Sequence, residues 1–333
     1  MFAGLIASEL IETTFPKEKR ILITGATGFV GSCFARSLAD GTRPIGILTR
    51  GESNLWRIQD IVDRTQVIRA DLRDYSAVRE GVKDFAPDVV YHFATFGGMR
   101  HELDEGKIVE TNVLACANLL AALADRDYSA FINVGSSSEY GPKAQPMSEN
   151  DKPEPTSGYG KSKLLATFMC QADAATRGRP NVTLRLFSPY GRYEDGRRLV
   201  PSVILSCLKG LAPELSSPAS VRDFVYIDDV IEALGLAAAR IDSVKGEIIN
   251  IGSGQQTSVE EIASRVIGIT DCACEARWKS RERGQDEPAA WSANIEKAER
   301  LLSWRPRHDI ESGLRKTIEW FRREGGRLYN HGG

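Results

Sequence analysis

Three glycines, Gly25, Gly28 and Gly31, follow the apolar run Arg20-Ile21-Leu22-Ile23-Thr24 and open a stretch of helical periodicity that ends near Ala39. Gly25 permits a tight turn out of a buried strand, and Gly28 lets the backbone approach a bound group. Gly31 lets the helix pack closely on the sheet. The spacing is G-x-x-G-x-x-G, with Thr27, Phe29 and Val30 filling the turn. Isolated, such a turn says little. At the first strand–helix junction it aims a helix N-terminus at a phosphate, as a dinucleotide site requires.

The rest of the first half repeats the pattern. Strand-like runs at 44–49, 66–70, 88–93, 130–134 and 181–186 alternate with helical segments, notably 107–124 and the one that begins at Tyr159. This alternation predicts an α/β chain with a Rossmann-type, doubly wound parallel sheet. From Ser188 the alternation breaks down into a smaller C-terminal α/β lobe, although Lys245–Ile251 reads as a strand returning to the main sheet. Residues 1–20 read as an extension before the first strand, without a basic leader.

A net charge of −2 over 333 residues argues against a broad nucleic-acid surface. No segment is long and apolar enough to span a bilayer. The six cysteines show no zinc-ligand spacing, because Cys272-Ala273-Cys274 lacks a second pair. No metal is expected, and a reduced cytoplasmic protein is the simplest reading.

Tyr159 and Lys163 stand one helical turn apart and so share a face. An ammonium beside a phenol favours the phenolate, which suits proton exchange with an alcohol or ketone while a cofactor carries hydride. The serine run Ser136-Ser137-Ser138 upstream offers hydroxyls to orient the reacting oxygen. The second strand ends in Thr49-Arg50-Gly51-Glu52 rather than directly in an acid. Arg50 suits a 2′-phosphate and favours NADP(H), with NAD(H) possible if Glu52 takes the acidic role. Asp71 and Leu72, after the third strand, are placed to meet an adenine.

Taken together, these motifs and Arg222-Asp223-Phe224-Val225-Tyr226-Ile227-Asp228-Asp229-Val230 resemble the extended short-chain dehydrogenase/reductase superfamily. Within it they resemble the nucleotide-sugar epimerase/dehydratase members. The resemblance implies a dinucleotide domain over 1–187 and 225–254 and a nucleotide-sugar domain over 188–224 and 255–333. It implies that Tyr159 exchanges the proton, that Lys163 tunes it and bonds the nicotinamide ribose, and that Ser136 or Ser137 orients the substrate oxygen. Phe93, Ala94 and Thr95 would line the nicotinamide pocket, and Asn112 stands where the family keeps a helix-perturbing asparagine. Arg222 and Arg283, with Arg198 a weaker candidate, would meet the diphosphate, and Ser188 would contact substrate. His92, inside an apolar strand, reads as a packed core histidine. A homodimer through the helices near Lys107 and Tyr159 is also implied.

Three readings of the reaction remain at this point. Sugar dehydratases carry an acid within the serine run that this chain lacks, and Glu139 is one place off. Cys116 and Cys170 do not match the Cys/His pair of the 3,5-epimerase/reductases. A 4-epimerase with tightly held NAD and an NADPH-dependent 4-ketoreductase are left. Arg50 and the runs around Ser136 and Ser188 favour the reductase, acting on a CDP- or dTDP-4-keto-6-deoxysugar, as in the CDP-abequose and CDP-paratose synthases. A non-catalytic NADP(H) sensor is the third reading.

Overall fold

The computed structural model describes residues 18–99, 101–279 and 290–329. The extension read before residue 18 and Arg283 lie outside the described residues. The first half is built from β1 (Ile21–Thr24), α1 (Phe29–Leu38), β2 (Ile45–Thr49), β3 (Gln66–Arg69), α2 (Tyr75–Phe85) and β4 (Val89–His92). It continues with α3 (105–122), β5 (Ala130–Ser136), α4 (Gly158–Arg177) and β6 (Asn181–Leu186).

The remainder holds β7 (Ser188–Tyr190), α5 (Leu199–Leu208), β8 (Glu214–Leu215), β9 (Val221–Arg222), β10 (Phe224–Tyr226) and α6 (Ile227–Ala239). After these come β11 (Ile248–Ile251), β12 (Thr257–Ser258), α7 (Val259–Thr270) and β13 (Arg277–Trp278).

Seven strands form one sheet in the order β11-β6-β5-β4-β1-β2-β3, every neighbouring pair parallel. Order reverses between β1 and β4, which opens a crevice at their C-terminal ends. The strands read as continuous apolar runs because helices cover both faces. Ile21, Ile23 and Tyr91 pack with Phe34 of α1 and Val230 of α6. Leu22, Val90 and Phe131 point the other way, against Val78, Leu119 and Ala166 of α2, α3 and α4. This is the two-residue period of a strand buried on both sides.

The remaining pairs, β10·β7, β12·β9 and β13·β8, are short two-stranded ladders of the smaller C-terminal α/β part. Helix boundaries follow local chemistry. Asp74 caps α2 by accepting from the Ser76 and Ala77 amides, and Ser157 caps α4 by accepting from Gly160 N at 3.0 Å. α3 is broken by a π-helical turn over Glu110–Leu114, centred on buried Asn112, the position at which the family resemblance implies a helix-perturbing asparagine.

Glu194, between β7 and α5, is buried, and its Oε2 has no hydrogen-bond partner among the described residues. Burial pushes its carboxyl up to about 8. An unfolded glutamate loses its proton near ~4.3. Between these values the unfolded chain binds fewer protons than the native one, so stability falls as pH rises through this window. Urea titrations at pH 5 and pH 8 (both about one unit inside or at the window's ends) should show this decline in the wild type and a flatter profile in Glu194→Gln. An equal decline in both proteins would show that Glu194 is not its source.

Candidate functional site

The glycine turn lies against the end of β4. Gly25 has φ +71°, and a Cβ there would sit 2.5 Å from Ala94 N. A Cβ on Gly31 would sit 2.4 Å from the Gly25 carbonyl oxygen, so α1 can approach the sheet only as glycine. Gly28 is exposed and caps α1 without a side-chain hydrogen bond, which leaves first-turn amides available to an anion. Thr27, Phe29 and Val30 are half-buried around it. This cradle, closed to a Cβ and open to a phosphate, fits the dinucleotide that the sequence predicts. Arg57 was not found by sequence reasoning. It donates to the carbonyls of Thr27 at 3.2 Å and Tyr193 at 2.8 Å and so buttresses the turn. It lies in an irregular segment after β2 that carries no recognisable signal.

Beyond β2, Arg50 is exposed and pairs with Glu52 at 3.4 Å. The guanidinium thus stands beside a carboxylate on the same loop. After β3, Asp71 bonds Arg73 at 2.7 Å, and this contact holds the Asp71 carboxyl below its usual range. Asn118 of α3 fixes the same loop by donating to the carbonyls of Leu72 and Arg73.

Asn112 joins three elements. Its Nδ2 donates to Phe96 O and to Ser162 Oγ, each at 2.8 Å. Its Oδ1 accepts from Phe96 N at 2.8 Å and Thr95 Oγ1 at 3.2 Å. Ser162 in turn donates to the Tyr159 carbonyl. Thr95 and Phe93 therefore sit on a segment pinned to α4, with Phe93 N donating to Thr24 O and Ala94 N to Thr24 Oγ1. His92 is buried and meets Thr24 Oγ1 through Nδ1 at 2.8 Å, so its ring is engaged inside the sheet.

On α4, Tyr159 is half-buried and Lys163 is buried. Close approach of this helix to the serine turn depends on Gly160, whose Cβ would lie 2.4 Å from Ser138 O. Ser136 Oγ accepts from Ser138 N at 3.1 Å, and Ser137 Oγ accepts from Trp291 Nε1 at 3.2 Å. Glu139 points the other way. Its Oε1 accepts from Ser136 N at 2.8 Å and its Oε2 from Arg185 Nε at 2.7 Å, with both side chains buried. A carboxylate committed in this way is part of the core and does not reach the crevice.

The far wall comes from the C-terminal part. Arg198, at the N-terminus of α5, donates to Gly98 O, and a Cβ on Gly98 would lie 3.6 Å from its Nη2 and 3.8 Å from Tyr159 Cε2. The structure thus brings Arg198 next to the Tyr159 ring. Arg222 lies over the Trp291 ring at 5.1 Å. Asp223 does not form a surface pair with it. It is buried and accepts from Ser253 N, Ser253 Oγ, Gly254 N and Ala293 N. Ser188 is half-buried in β7, and its amide donates to Asp223 O. Trp291 is a second residue the sequence did not disclose, because its partners Ser137 and Arg222 are remote along the chain.

Residues 21–252 match the NAD dependent epimerase/dehydratase family. The chain is 30% identical over 325 residues to a UDP-N-acetyl-alpha-D-glucosaminuronate decarboxylase of Bacillus cytotoxicus, across 92% of this chain and 98% of that one. It is 27% identical over 336 residues to dTDP-glucose 4,6-dehydratase 1 of Escherichia coli, across 91% and 92% of the two chains. The solved structure of UDP-glucuronic acid 4-epimerase from Bacillus cereus, in complex with UDP-glucuronic acid and NAD, superposes with a TM-score of 0.81. That pair is 28% identical and covers 91% of this chain and 99% of the other.

Two expectations are corrected by these relatives. The cofactor favoured from Arg50 was NADP(H), but the family is NAD dependent and the epimerase structure holds NAD. The Arg50–Glu52 pair supplies the physical reason, since the cation that suggested a 2′-phosphate is matched by a neighbouring acid. NADPH-dependent ketone reduction falls with it, because the relatives are named for decarboxylation, dehydration and 4-epimerisation. Nothing in them singles out the CDP-abequose or CDP-paratose synthases. Among the described residues no helix is long and apolar enough to cross a membrane. The chain belongs to the NAD dependent epimerase/dehydratase family.

Proposed function

We propose that this chain is an NAD-dependent nucleotide-sugar 4-epimerase. The observation that carries the reading is the serine turn beside α4. It offers hydroxyls at Ser136, Ser137 and Ser138, while the adjoining carboxylate of Glu139 is locked against Arg185. Eliminating water from a sugar calls for an acid at this turn, whereas exchanging a C4 hydroxyl and ketone does not.

NAD, held by the glycine turn at Gly25, Gly28 and Gly31, would supply reversible hydride exchange with the sugar C4. Tyr159 removes the hydroxyl proton as the ketone forms and gives it back as the alcohol re-forms. Lys163, one turn along the same helix face, stabilises the phenolate and bonds the nicotinamide ribose. Ser136 or Ser137 orients the reacting oxygen: each Oγ accepts a hydrogen bond, from Ser138 N and from Trp291 Nε1 respectively, and so keeps its own proton to donate. Gly25, Thr27, Gly28, Phe29 and Val30 hold the pyrophosphate. Asp71 and Leu72 border the adenine, and Phe93, Ala94, Thr95 and Asn112 form the nicotinamide wall. Arg198 and Arg222 take the diphosphate, with guanidinium forks suited to it, and Ser188 lines the sugar pocket. The division of labour follows the domains expected at 1–187 with 225–254 and at 188–224 with 255–333.

A homodimer through α3 and α4 is part of the proposal. Val109, Leu114, Leu165 and Phe168 are large apolar side chains left exposed on these two helices. Apolar side chains clustered on adjoining helices suit burial against a second copy.

Incubation with UDP-glucose, UDP-glucuronic acid and dTDP-glucose should yield a C4 epimer of at least one, read by proton NMR, with no net change in NADH absorbance. Tyr159→Phe should lower kcat by ~10²–10⁴-fold. Release of carbon dioxide or a 4-keto-6-deoxy product would overturn the 4-epimerase assignment. In sedimentation, the wild type should run as a dimer and Phe168→Asp as a monomer. A wild-type monomer would refute the interface.

A further inference from the structure

Away from the crevice, three thiols converge that sequence spacing does not connect. Cys207 is buried in the last turn of α5, and Cys272 and Cys274 follow the end of α7. The three sulfur atoms all lie within 4.8 Å of one another, and those of Cys272 and Cys274 are 2.6 Å apart. The convergence is built into the fold. β8 and β13 zip the two following segments together, with Arg277 N donating to Pro213 O at 2.9 Å and Lys279 N to Leu215 O at 2.8 Å. The Cys272–Cys274 turn is closed by Cys274 N donating to Cys272 O at 2.8 Å. Cys272 and Cys274 are partly exposed, which leaves an entry path from solvent.

We propose that Cys207, Cys272 and Cys274 form a binding site for a thiophilic d10 cation, Zn²⁺ or Cu⁺. The donor set is all sulfur, without imidazole or carboxylate, which selects soft cations over Mg²⁺ or Ca²⁺. Zinc–sulfur bonds of ~2.3 Å in tetrahedral geometry separate sulfurs by ~3.8 Å. Closing on a cation therefore moves the Cys272 and Cys274 sulfurs apart by ~1 Å, a displacement within reach of single χ1 adjustments. The Leu211 carbonyl, 3.7 Å from Cys274 Sγ, or a water supplies a fourth ligand where Zn²⁺ requires it.

Binding is not a redox step. Each sulfur–metal bond forms as a thiol proton leaves to solvent, and the cation keeps its oxidation state. Affinity should rise with pH, because each ligating thiol gives up its proton on binding. The bound cation would clamp the C-terminal end of α5, whose other end carries Arg198.

The test uses the full chain, reduced and kept free of oxygen. Zn²⁺ is titrated against a chromophoric chelator, Cu⁺ against bicinchoninate, and Co²⁺ serves as a spectroscopic probe of sulfur ligation. The expected result is one equivalent per chain, a sulfur-to-cobalt charge-transfer band, and affinity that climbs with pH. Whichever of Zn²⁺ and Cu⁺ displaces the other identifies the cation. Loss of a ligand in C207S or C274S should weaken binding beyond the ~10–100-fold typical of an outer-shell partner. Cys274 is partly exposed, so C274S remains informative if C207S does not fold. Undiminished binding in C274S, no binding in the wild type, or a Cys272–Cys274 disulfide that persists under reductant would overturn the assignment.

Discussion

Asn112 is the tie on which the geometry of the crevice depends. Its amide makes hydrogen bonds with the backbone of Phe96 and the side chains of Thr95 and Ser162, all from a buried position. Such a group can be buried only if its donors and acceptors are met, so each partner is fixed by the cost of leaving it unmet. The regular ladder of α3 gives way to a π-helical turn where Asn112 sits. Through Ser162 and the Tyr159 carbonyl, the same residue connects the end of β4 to the helix that carries Tyr159 and Lys163. The proposed cofactor wall and proton-transfer pair, drawn from separate elements, are thereby held in one frame.

A second buried polar node decides which side chains of the serine turn are open to chemistry. Removing one member of a buried ion pair costs about 3–5 kcal/mol, because its partner is left charged and unmatched. Glu139 and Arg185 are such a pair, and Glu139 also accepts from the Ser136 amide. The energy that holds Glu139 in the core also holds the Ser136 backbone in place. A carboxylate adjacent in sequence to the serines is thus unavailable as an acid, and the turn presents hydroxyls alone. In the proposed reaction this limits the turn to orienting oxygen atoms.

The features legible in the sequence are those whose physics is local. The strands read as continuous apolar runs because both faces of the sheet are covered, and such runs show directly in the sequence. The glycine turn and the Tyr159/Lys163 spacing each lie within one turn or one helix. The features that escaped it rest on remote partners. Arg57 reaches the glycine turn and the Tyr193 carbonyl, Trp291 bridges Ser137 and Arg222, and Cys207 meets Cys272 and Cys274 across two helices. Arg50 shows a different failure. Its charge was legible, but cofactor choice depends on the summed field at the ribose, to which Glu52 contributes with opposite sign.

The C-terminal part meets the crevice with residues that are already ordered. Asp223 accepts four hydrogen bonds from 253–254 and Ala293, so the chain on either side of Arg222 and Trp291 is anchored by an interior group. Arginines on free loops would lose rotamer and backbone freedom when a diphosphate arrives, at about 0.5–1.5 kcal/mol for each side chain immobilised. In the proposed function, much of that ordering at Arg198 and Arg222 is complete before binding. Arg198 is likewise placed at the start of a helix whose far end is the thiol cluster, so a cation there would stiffen the same element from behind. In the proposed function, both anchors would act on the arginines rather than on substrate, which would separate the strength of substrate binding from the proton chemistry proposed for Tyr159.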